Sequence, residues 1–177
     1  MNNSNYRELP PYYPEYIFPR GFNEFVIKHY VQRVSPGFVA KFARSWEDNV
    51  GTEETEAKSI QWLTREMDML TEAHDRGVSV PKPRGLFLIP KVKRGFLNLF
   101  IRKTLPTPAI LMQYIPGLTL DRLQGENSFE AYKLRDKEIR KAGSLGFDPI
   151  DCHEGNAIYN PLEKKVYLID LEHWKRK

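Results

Sequence analysis

Cysteine and long apolar runs are what this 177-residue chain has least of. Its single cysteine, Cys152, excludes an internal disulfide and is typical of a reducing compartment. No apolar run approaches the roughly 20 residues of a membrane span, and the N-terminus lacks the apolar stretch of a secretory signal. We therefore expect a soluble protein of a reducing intracellular compartment, in which Cys152 is a packing residue rather than a nucleophile.

The chain also has little excess of either sign of charge. The net charge is +4 and the pI is about 9.1, and acids are interspersed with most of the cations. Two basic clusters are expected to be solvated: Lys91, Lys93 and Arg94, and Lys175, Arg176 and Lys177. Zinc-ligand spacing and the aromatic-interleaved pattern of RNA-binding proteins are not found. Nucleic-acid binding is therefore unsupported by the sequence, which gives no indication of oligomeric state.

The first 15 residues differ in composition from the rest. They are rich in Asn, Tyr and Pro, and Pro10, Pro11 and Pro14 forbid a regular helix. We expect an extended or disordered lead-in over residues 1–15, compatible with a bacterial type III export signal. A single domain over residues 16–177 follows from the length of the remaining chain.

Residues 16–177 mix β-type and α-type patterns, which predicts an α+β domain. Strands at Phe25–Val31 and Gly37–Phe42 flank a turn at Ser35–Gly37. A helix from about Thr52 to His74 begins with glutamates and stops before Gly77. Its predicted buried stripe comprises Ile60, Leu63, Met67 and Leu70. The other predicted elements are strands at 85–89 and 109–112, an inserted hairpin around 95–101, a helix at 128–143 and a hairpin of 157–159 with 166–169.

The stretch with the most specific chemistry is Asp151-Cys-His-Glu-Gly-Asn156, followed 14 residues later by Asp170 at the end of an apolar run. Phosphoryl transfer from ATP needs a carboxylate that orients the acceptor hydroxyl and takes its proton. It also needs an amide oxygen and a second carboxylate for the magnesium ions that bridge the phosphates. An acid, an amide and an acid in this order predict a phosphoryl-transfer site.

This arrangement resembles the catalytic core of the protein-kinase-like superfamily, in which an Asp and an Asn have this spacing and the next strand leads to a metal-binding Asp. The resemblance implies that Asp151 is the catalytic base, that Asn156 and Asp170 bind Mg²⁺, and that ATP is the second cofactor. It also implies a bilobal fold. We expect an antiparallel N-lobe sheet with one αC helix at about 16–115, and a strongly reduced C-lobe at about 116–177.

Two further segments resemble the phosphate-contacting parts of kinases. Val39-Ala-Lys41 resembles the strand whose lysine neutralises the α- and β-phosphates, and Arg65-Glu66 lies in a helix like the one whose glutamate holds that lysine. Glu66 is therefore the expected partner of Lys41, with Glu56 as the alternative.

The adenine-contacting parts are also matched in order. The strand ending at Met112 and the break at Pro116-Gly117 resemble the fifth strand and hinge of kinases, with Met112 as gatekeeper and Gln113 and Ile115 in the linker. The glycine-rich loop is represented only weakly, and its expected nucleotide contacts are Gly21 and Val26.

Several departures from the kinase pattern bear on function. His153 stands where protein kinases have a lysine, and Asp-x-His-x-x-Asn resembles the aminoglycoside and choline phosphotransferase branch; His153 either contacts the transferred phosphate or packs the loop. Leu171-Glu172 replaces Phe-Gly after the metal-binding Asp. The chain ends seven residues after Asp170, so the resemblance is expected to cover only the ATP half of a kinase.

The chain as a whole is similar to the minimal, atypical protein kinases found among bacterial type III effectors, including a group that phosphorylates the chaperone Hsp90. This resemblance implies transfer of the γ-phosphoryl group to a protein hydroxyl, Ser or Thr in preference to Tyr. The implied setting is a host cytoplasm, with a chaperone such as Hsp90 as partner. Two alternatives stay open: a non-catalytic kinase-like binding module, and a small-molecule phosphotransferase of the aminoglycoside or choline kinase branch.

Overall fold

A computed structural model describes residues 31–42, 53–92 and 104–177. These residues fall into two compact units. The first comprises residues 31–42, 53–64, 84–92 and 104–112, and the second comprises residues 65–83 and 113–177. The predicted lead-in at 1–15 and the inserted hairpin around 95–101 lie outside the described residues, and the lobe boundaries stay a prediction.

A four-stranded sheet, in the order β1-β2-β4-β3, dominates the first unit. Its strands are β1 (Val31–Ser35), β2 (Phe38–Phe42), β3 (Pro83–Val92) and β4 (Thr104–Gln113). One face carries a core of Ala40, Phe42, Phe87, Ala109 and Leu111, with Phe38 packed against it. Successive side chains of a strand point to opposite faces, so Lys41 projects from the face opposite Ala40 and Phe42, where it is also buried.

The first hairpin is described from Val31 onward. Its turn lies at Pro36-Gly37 and follows the strand Val31–Ser35, in which Val31 pairs antiparallel with Lys41. The strand therefore extends beyond the predicted end at Val31, and residues 25–30 of the predicted strand lie outside the described residues. Among the described strands, β1 is the first in the sheet order. Gln32-Arg33-Val34-Ser35 lacks the apolar character on which the prediction depended.

β3 and β4 are each ten residues long, whereas the sequence predicted 85–89 and 109–112. Both observed strands include prolines. Among the described strands β3 is the last in the sheet order, where a residue without an N–H is tolerated, and Pro106 and Pro108 lie in the first half of β4.

Helix α1 (Glu53–Asp75) confirms the predicted helix to within one residue at each end. Its buried positions differ in part from the predicted stripe: Glu66 is buried, whereas Ile60 and Met67 are only half-buried. Residues three and four apart lie on the same helix face, so Glu66 lies on the buried face together with Leu63 and Leu70. The buried positions on α1 are Leu63, Glu66, Met69, Leu70 and Ala73.

In the second unit, α2 (Glu126–Ser144) packs against a small sheet in the order β5-β7-β8. The strands of this sheet are β5 (Leu118–Thr119), β7 (Ala157–Asn160) and β8 (Lys165–Leu168). A second pair joins β6 (Phe147–Asp148) to β9 (Lys175–Arg176). The predicted helix at 128–143 and the predicted hairpin are both confirmed. Fully buried side chains around these elements are Leu120, Phe147, Val166, Leu168, Leu171 and Trp174.

Hydrogen bonds join the segment after α1 to the rest of the second unit, and three of them involve Gly77 and Ser79. Leu168 N donates to Ser79 O at 2.8 Å, and Ser79 N donates to Glu138 Oε2 at 3.1 Å. Lys141 Nζ donates to Gly77 O at 2.5 Å. The C-terminal end of α1 is thereby attached to β8 and to α2. Among the helices of the described ranges, none is long and apolar enough to cross a membrane.

Candidate functional site

The loop between β6 and β7 carries Asp151 at one end and Asn156 at the other. A single 3₁₀ turn, Glu154–Asn156, closes it. The buried amide of Asn156 donates through Nδ2 to the backbone carbonyl of Asp151 at 3.0 Å. The Asp151 side chain is 45% exposed. Asn156 therefore fixes the backbone of Asp151 while the carboxylate of Asp151 stays accessible to solvent.

The β7–β8 hairpin places Asp170 at the same end as Asn156. Ala157 pairs with Leu168, and one step further Ile169 N donates to Asn156 O at 2.9 Å. Asp170 follows directly. The structure thus brings together the acid, the amide and the second acid of the predicted motif at the open end of one hairpin.

Both acids have an unusual backbone. In the described part of the chain, three residues other than glycine have a positive φ: Asp151 at 64°, Lys164 at 50° and Asp170 at 62°. This left-handed region is uncommon for residues with a side chain, although Asp tolerates it better than most. Retained backbone strain is concentrated at functional sites in proteins, and here it coincides with the two acids that the sequence singles out.

Three carboxylates of the second unit converge near Asp170. Ligand oxygens of Glu66, Asp170 and Glu172 lie within 4.8 Å of one another. Glu66 is 6% exposed, and the Glu172 side chain, whose Oε1 lies 3.2 Å from His173 Nε2, is 10% exposed. Like charges at this range and burial repel unless cations or protons compensate them. Glu172 was noted in the sequence only as a departure from the kinase pattern. An acid two positions after Asp170 was the signal that could have found it.

The donor set fits magnesium, which prefers carboxylate and amide oxygens. The Nδ2 atom of Asn156 is used by Asp151 O, so its Oδ1 is the atom that can act as a ligand. Asp170 supplies a carboxylate at the same end of the hairpin. Asn156 and Asp170 are therefore suitable to hold a Mg²⁺ ion, and the Glu66 and Glu172 carboxylates add negative charge nearby.

His153 caps the 3₁₀ turn of this loop. Its Nδ1 accepts a hydrogen bond from Gly155 N at 3.0 Å, which caps the 3₁₀ turn. Its Nε2 lies 3.8 Å from Asp151 Oδ1, and the ring is 49% exposed. Of the two sequence alternatives, this capping bond agrees with packing of the loop.

Cys152 lies beside Asp151 and is half-buried. Burial raises the pKa of its thiol to about 11, and the neighbouring Asp151 charge adds to the shift. The nearby Trp174 indole and the positive charge of Arg135 lower the pKa, but they offset the rise only in part. The Trp174 N–H lies outside the geometry of a formed hydrogen bond. A thiol that stays protonated at neutral pH is a poor nucleophile, which agrees with Cys152 as a packing residue.

The remaining predicted site residues are placed as follows. Met112 is buried at the end of β4, and Ile115 is buried in the linker. Gln113 is bonded twice to Lys82: its N donates to Lys82 O at 2.9 Å, and its Oε1 accepts from Lys82 N at 3.3 Å. Their contacts with adenine, and the pairing of Lys41 with Glu66, stay predictions. Gly21 and Val26 lie outside the described residues.

Comparison with known proteins supports the fold from structure alone, since no protein-family model and no curated protein matches the sequence. The chain is similar to a Stt7 homolog from Micromonas algae, solved after soaking with ATP, with a TM-score of 0.54 and 16% identity over 77% of this chain. It is also similar to the Rio2 kinase of Chaetomium thermophilum in complex with ADP/Mg²⁺-phosphoaspartate, with a TM-score of 0.53 and 13% identity over 78% of this chain.

The matched region spans 42% of each of those two chains. Likeness at this level of identity concerns the fold. The fold is protein-kinase-like, which confirms the predicted α+β class with antiparallel strands.

Proposed function

We propose that this protein is an ATP-dependent phosphotransferase of the protein-kinase type. The observation that carries the proposal is that Asn156 makes two hydrogen bonds. Its side chain holds the backbone of Asp151, and its own carbonyl is bonded to Ile169, the residue before Asp170. Because both acids are attached to one buried amide residue, their relative position is fixed by the fold.

Each residue of this group has a distinct task. The exposed Asp151 carboxylate orients the acceptor hydroxyl and takes its proton as the hydroxyl oxygen attacks the γ-phosphorus, while the bond from the γ-phosphorus to the bridging oxygen breaks and ADP leaves. Asn156 Oδ1 and the Asp170 carboxylate would hold Mg²⁺, which would neutralise charge on the nucleotide phosphates. The backbone of the loop keeps the base in place while the acceptor binds.

Lys41 and Glu66 complete the proposed nucleotide site. Lys41 is a buried cation that we assign to the α- and β-phosphates, and Glu66 is a buried carboxylate that we assign as its partner. A buried ion of either sign requires an opposite charge, which supports this pairing. The side chain of Glu56, the alternative, lies outside the described residues. The backbone of Gln113 and Ile115, next to Met112, is assigned to the edge of adenine, and Gly21 and Val26 to the cover over the nucleotide.

The proposed acceptor is a Ser or Thr hydroxyl of a protein. The support is the similarity of the motif arrangement to minimal effector kinases, and it makes a host chaperone such as Hsp90 the first substrate to test. A second candidate, a small-molecule phosphotransferase, is favoured by one observation: His153 occupies the position at which the aminoglycoside and choline phosphotransferase branch carries a histidine.

The test uses γ-labelled ATP, Mg²⁺ and a eukaryotic lysate, with purified Hsp90 as a separate arm. The wild-type chain should label protein, and Asp170→Asn should lower the labelling at least about 100-fold, because a lost electrostatic contact to the transferred group commonly costs that much. Asp68→Asn is the matched control, since Asp68 is an exposed acid on α1, and it should keep the wild-type rate.

The alternatives give different results in the same assay. Label that appears in small metabolites instead of protein would support the phosphotransferase branch. Labelling equal in the wild type and Asp170→Asn, or absent from both, would contradict a phosphotransferase and favour a kinase-like binding module.

A further inference from the structure

The hydrogen bond of His153 determines which ring nitrogen carries the proton. Gly155 N is a backbone amide and can only donate, so His153 Nδ1, at 3.0 Å, must be the acceptor. In the neutral ring the proton then lies on Nε2. His153 Nε2 lies 3.8 Å from Asp151 Oδ1.

Gly155 allows the ring to take this position. A Cβ at Gly155 would lie 3.0 Å from Cε1 and 3.2 Å from Nδ1 of His153, closer than ordinary contact. The ring is therefore pressed against a backbone that carries no side chain. The same Cβ would lie 3.7 Å from Asp121 Oδ2, so a second carboxylate lies close to Gly155.

A general base is most effective when only one of its oxygens faces the acceptor. A donor on Oδ1 fixes the rotation of the carboxylate and leaves Oδ2 to receive the proton. The distance of 3.8 Å exceeds that of a hydrogen bond by about 1 Å, and catalytic hydrogen bonds are often long before substrate binds and shorten in the complex.

We propose that His153 is a positioning residue for phosphoryl transfer: its Nδ1 fixes the loop between Asp151 and Asn156, and its Nε2–H orients the Asp151 carboxylate toward the acceptor hydroxyl. This role rests on the proposed function. His153 neither takes the acceptor's proton nor binds the phosphates. The proton passes from the hydroxyl to Asp151 Oδ2, and His153 keeps its own.

Two substitutions separate the two tasks of the ring. An Asn side chain places its amide near the Nδ1 position, and a Gln side chain extends its amide to the Nε2 position. His153→Asn should keep the cap and the affinity for ATP and Mg²⁺ but lose about 10–100-fold in the rate of transfer at saturating ATP, part of what a correctly placed base contributes. His153→Gln should recover part of that rate, and His74→Asn, at a half-buried histidine on α1, should retain the wild-type rate.

The kinetic outcomes decide the role. A wild-type rate for His153→Asn would overturn the proposal, as would a raised KM for ATP with an unchanged rate at saturation, since that pattern indicates a phosphate contact. If the wild-type chain transfers no phosphate, the proposed function fails and this role fails with it. An active wild type with insensitive variants overturns only the role of His153.

A spectroscopic measurement tests the geometry without an acceptor. Two-bond ¹H–¹⁵N correlation spectra at pH 8, with the His153 signals assigned by their loss in His153→Asn, report the tautomer directly. The Nε2–H form is expected. An Nδ1–H form would overturn the proposal whatever the kinetics show.

Discussion

At the scale of single residues, Asp151 and Asp170 share a left-handed backbone at the two ends of the proposed chemistry, with φ of 64° and 62°. A side chain in this region costs roughly 1–2 kcal/mol relative to the right-handed form. Hydrogen bonds fix the chain at both acids and so retain that cost. Asn156 Nδ2 donates to Asp151 O, and Ile169 N, next to Asp170, donates to Asn156 O. Stability and function are therefore expected to oppose each other at these positions.

Replacing Asp151 by Gly and by Ala measures this strain. Asp151→Gly should be about 1 kcal/mol more stable than Asp151→Ala, because glycine adopts positive φ without a steric penalty. Urea unfolding gives the difference in the free energy of unfolding. The matched pair Lys164→Gly and Lys164→Ala, at a φ of 50° in the β7–β8 turn, should differ in the same direction. Equal stabilities for the two Asp151 variants, with a difference for the Lys164 pair, would contradict strain at Asp151.

Cys152 allows a test based on pH. Its thiol pKa is raised from 9.0 to about 11, first by burial, so at pH 8 the native thiolate fraction is about 100-fold lower than in the unfolded chain. Alkylation with iodoacetamide at pH 8 should therefore be about 100-fold slower in the native protein than in denaturant. The same shift contributes stability that is complete below pH 9 and is lost as the pH rises toward 11. Equal alkylation rates would contradict the buried thiol.

At the scale of elements, the start of β5 depends on Gly117. This residue has a φ of 154°, and a Cβ there would overlap the backbone carbonyl of Tyr159 and lie 3.2 Å from Ile158 Cγ2. β5 pairs with β7 through Leu118 and Tyr159, and β7 leads from the candidate site. The close approach of these two backbones therefore requires glycine.

Gly117→Ala should lower the free energy of unfolding by about 3 kcal/mol, near the upper end of typical overpacking costs. Gly125→Ala is the control, because Gly125 also has a positive φ, of 77°, but nothing lies within 4 Å of its Cβ position. That variant should lose only about 1 kcal/mol, the conformational term alone. Urea denaturation compares them, and equal losses would show that contact with β7 is not the cause.

The elements also show where sequence patterns succeed and where they fail. α1, α2 and the β7–β8 hairpin were predicted well because their apolar positions face one buried side. β3 and β4 were predicted too short, and both contain prolines, which local pattern favours at strand ends. Residues 25–30 of the predicted first strand lie outside the described residues, so that part stays a prediction.

At the scale of the whole molecule, the order of motifs predicted a protein-kinase-like fold, and the structural comparisons confirm it. Proximity of Asp151, Asn156 and Asp170 followed from their spacing, because the hairpin is local in sequence. Glu172 and the tautomer of His153 could not be predicted. Both depend on contacts, Glu172 with Glu66 on a distant helix and His153 with a backbone amide, that residue type alone does not specify.

The thermal midpoint with ATP, measured with and without Mg²⁺, tests the central assignment most directly, since it needs no knowledge of the acceptor. At ATP and Mg²⁺ about 100-fold above the dissociation constant, binding adds about 2.7 kcal/mol, a rise of roughly 5–10 °C for a chain of this size. The account predicts that the wild type and Asp151→Asn show a Mg²⁺-dependent rise of this size and that Asp170→Asn loses it. A full Mg²⁺-dependent rise in Asp170→Asn would contradict the account.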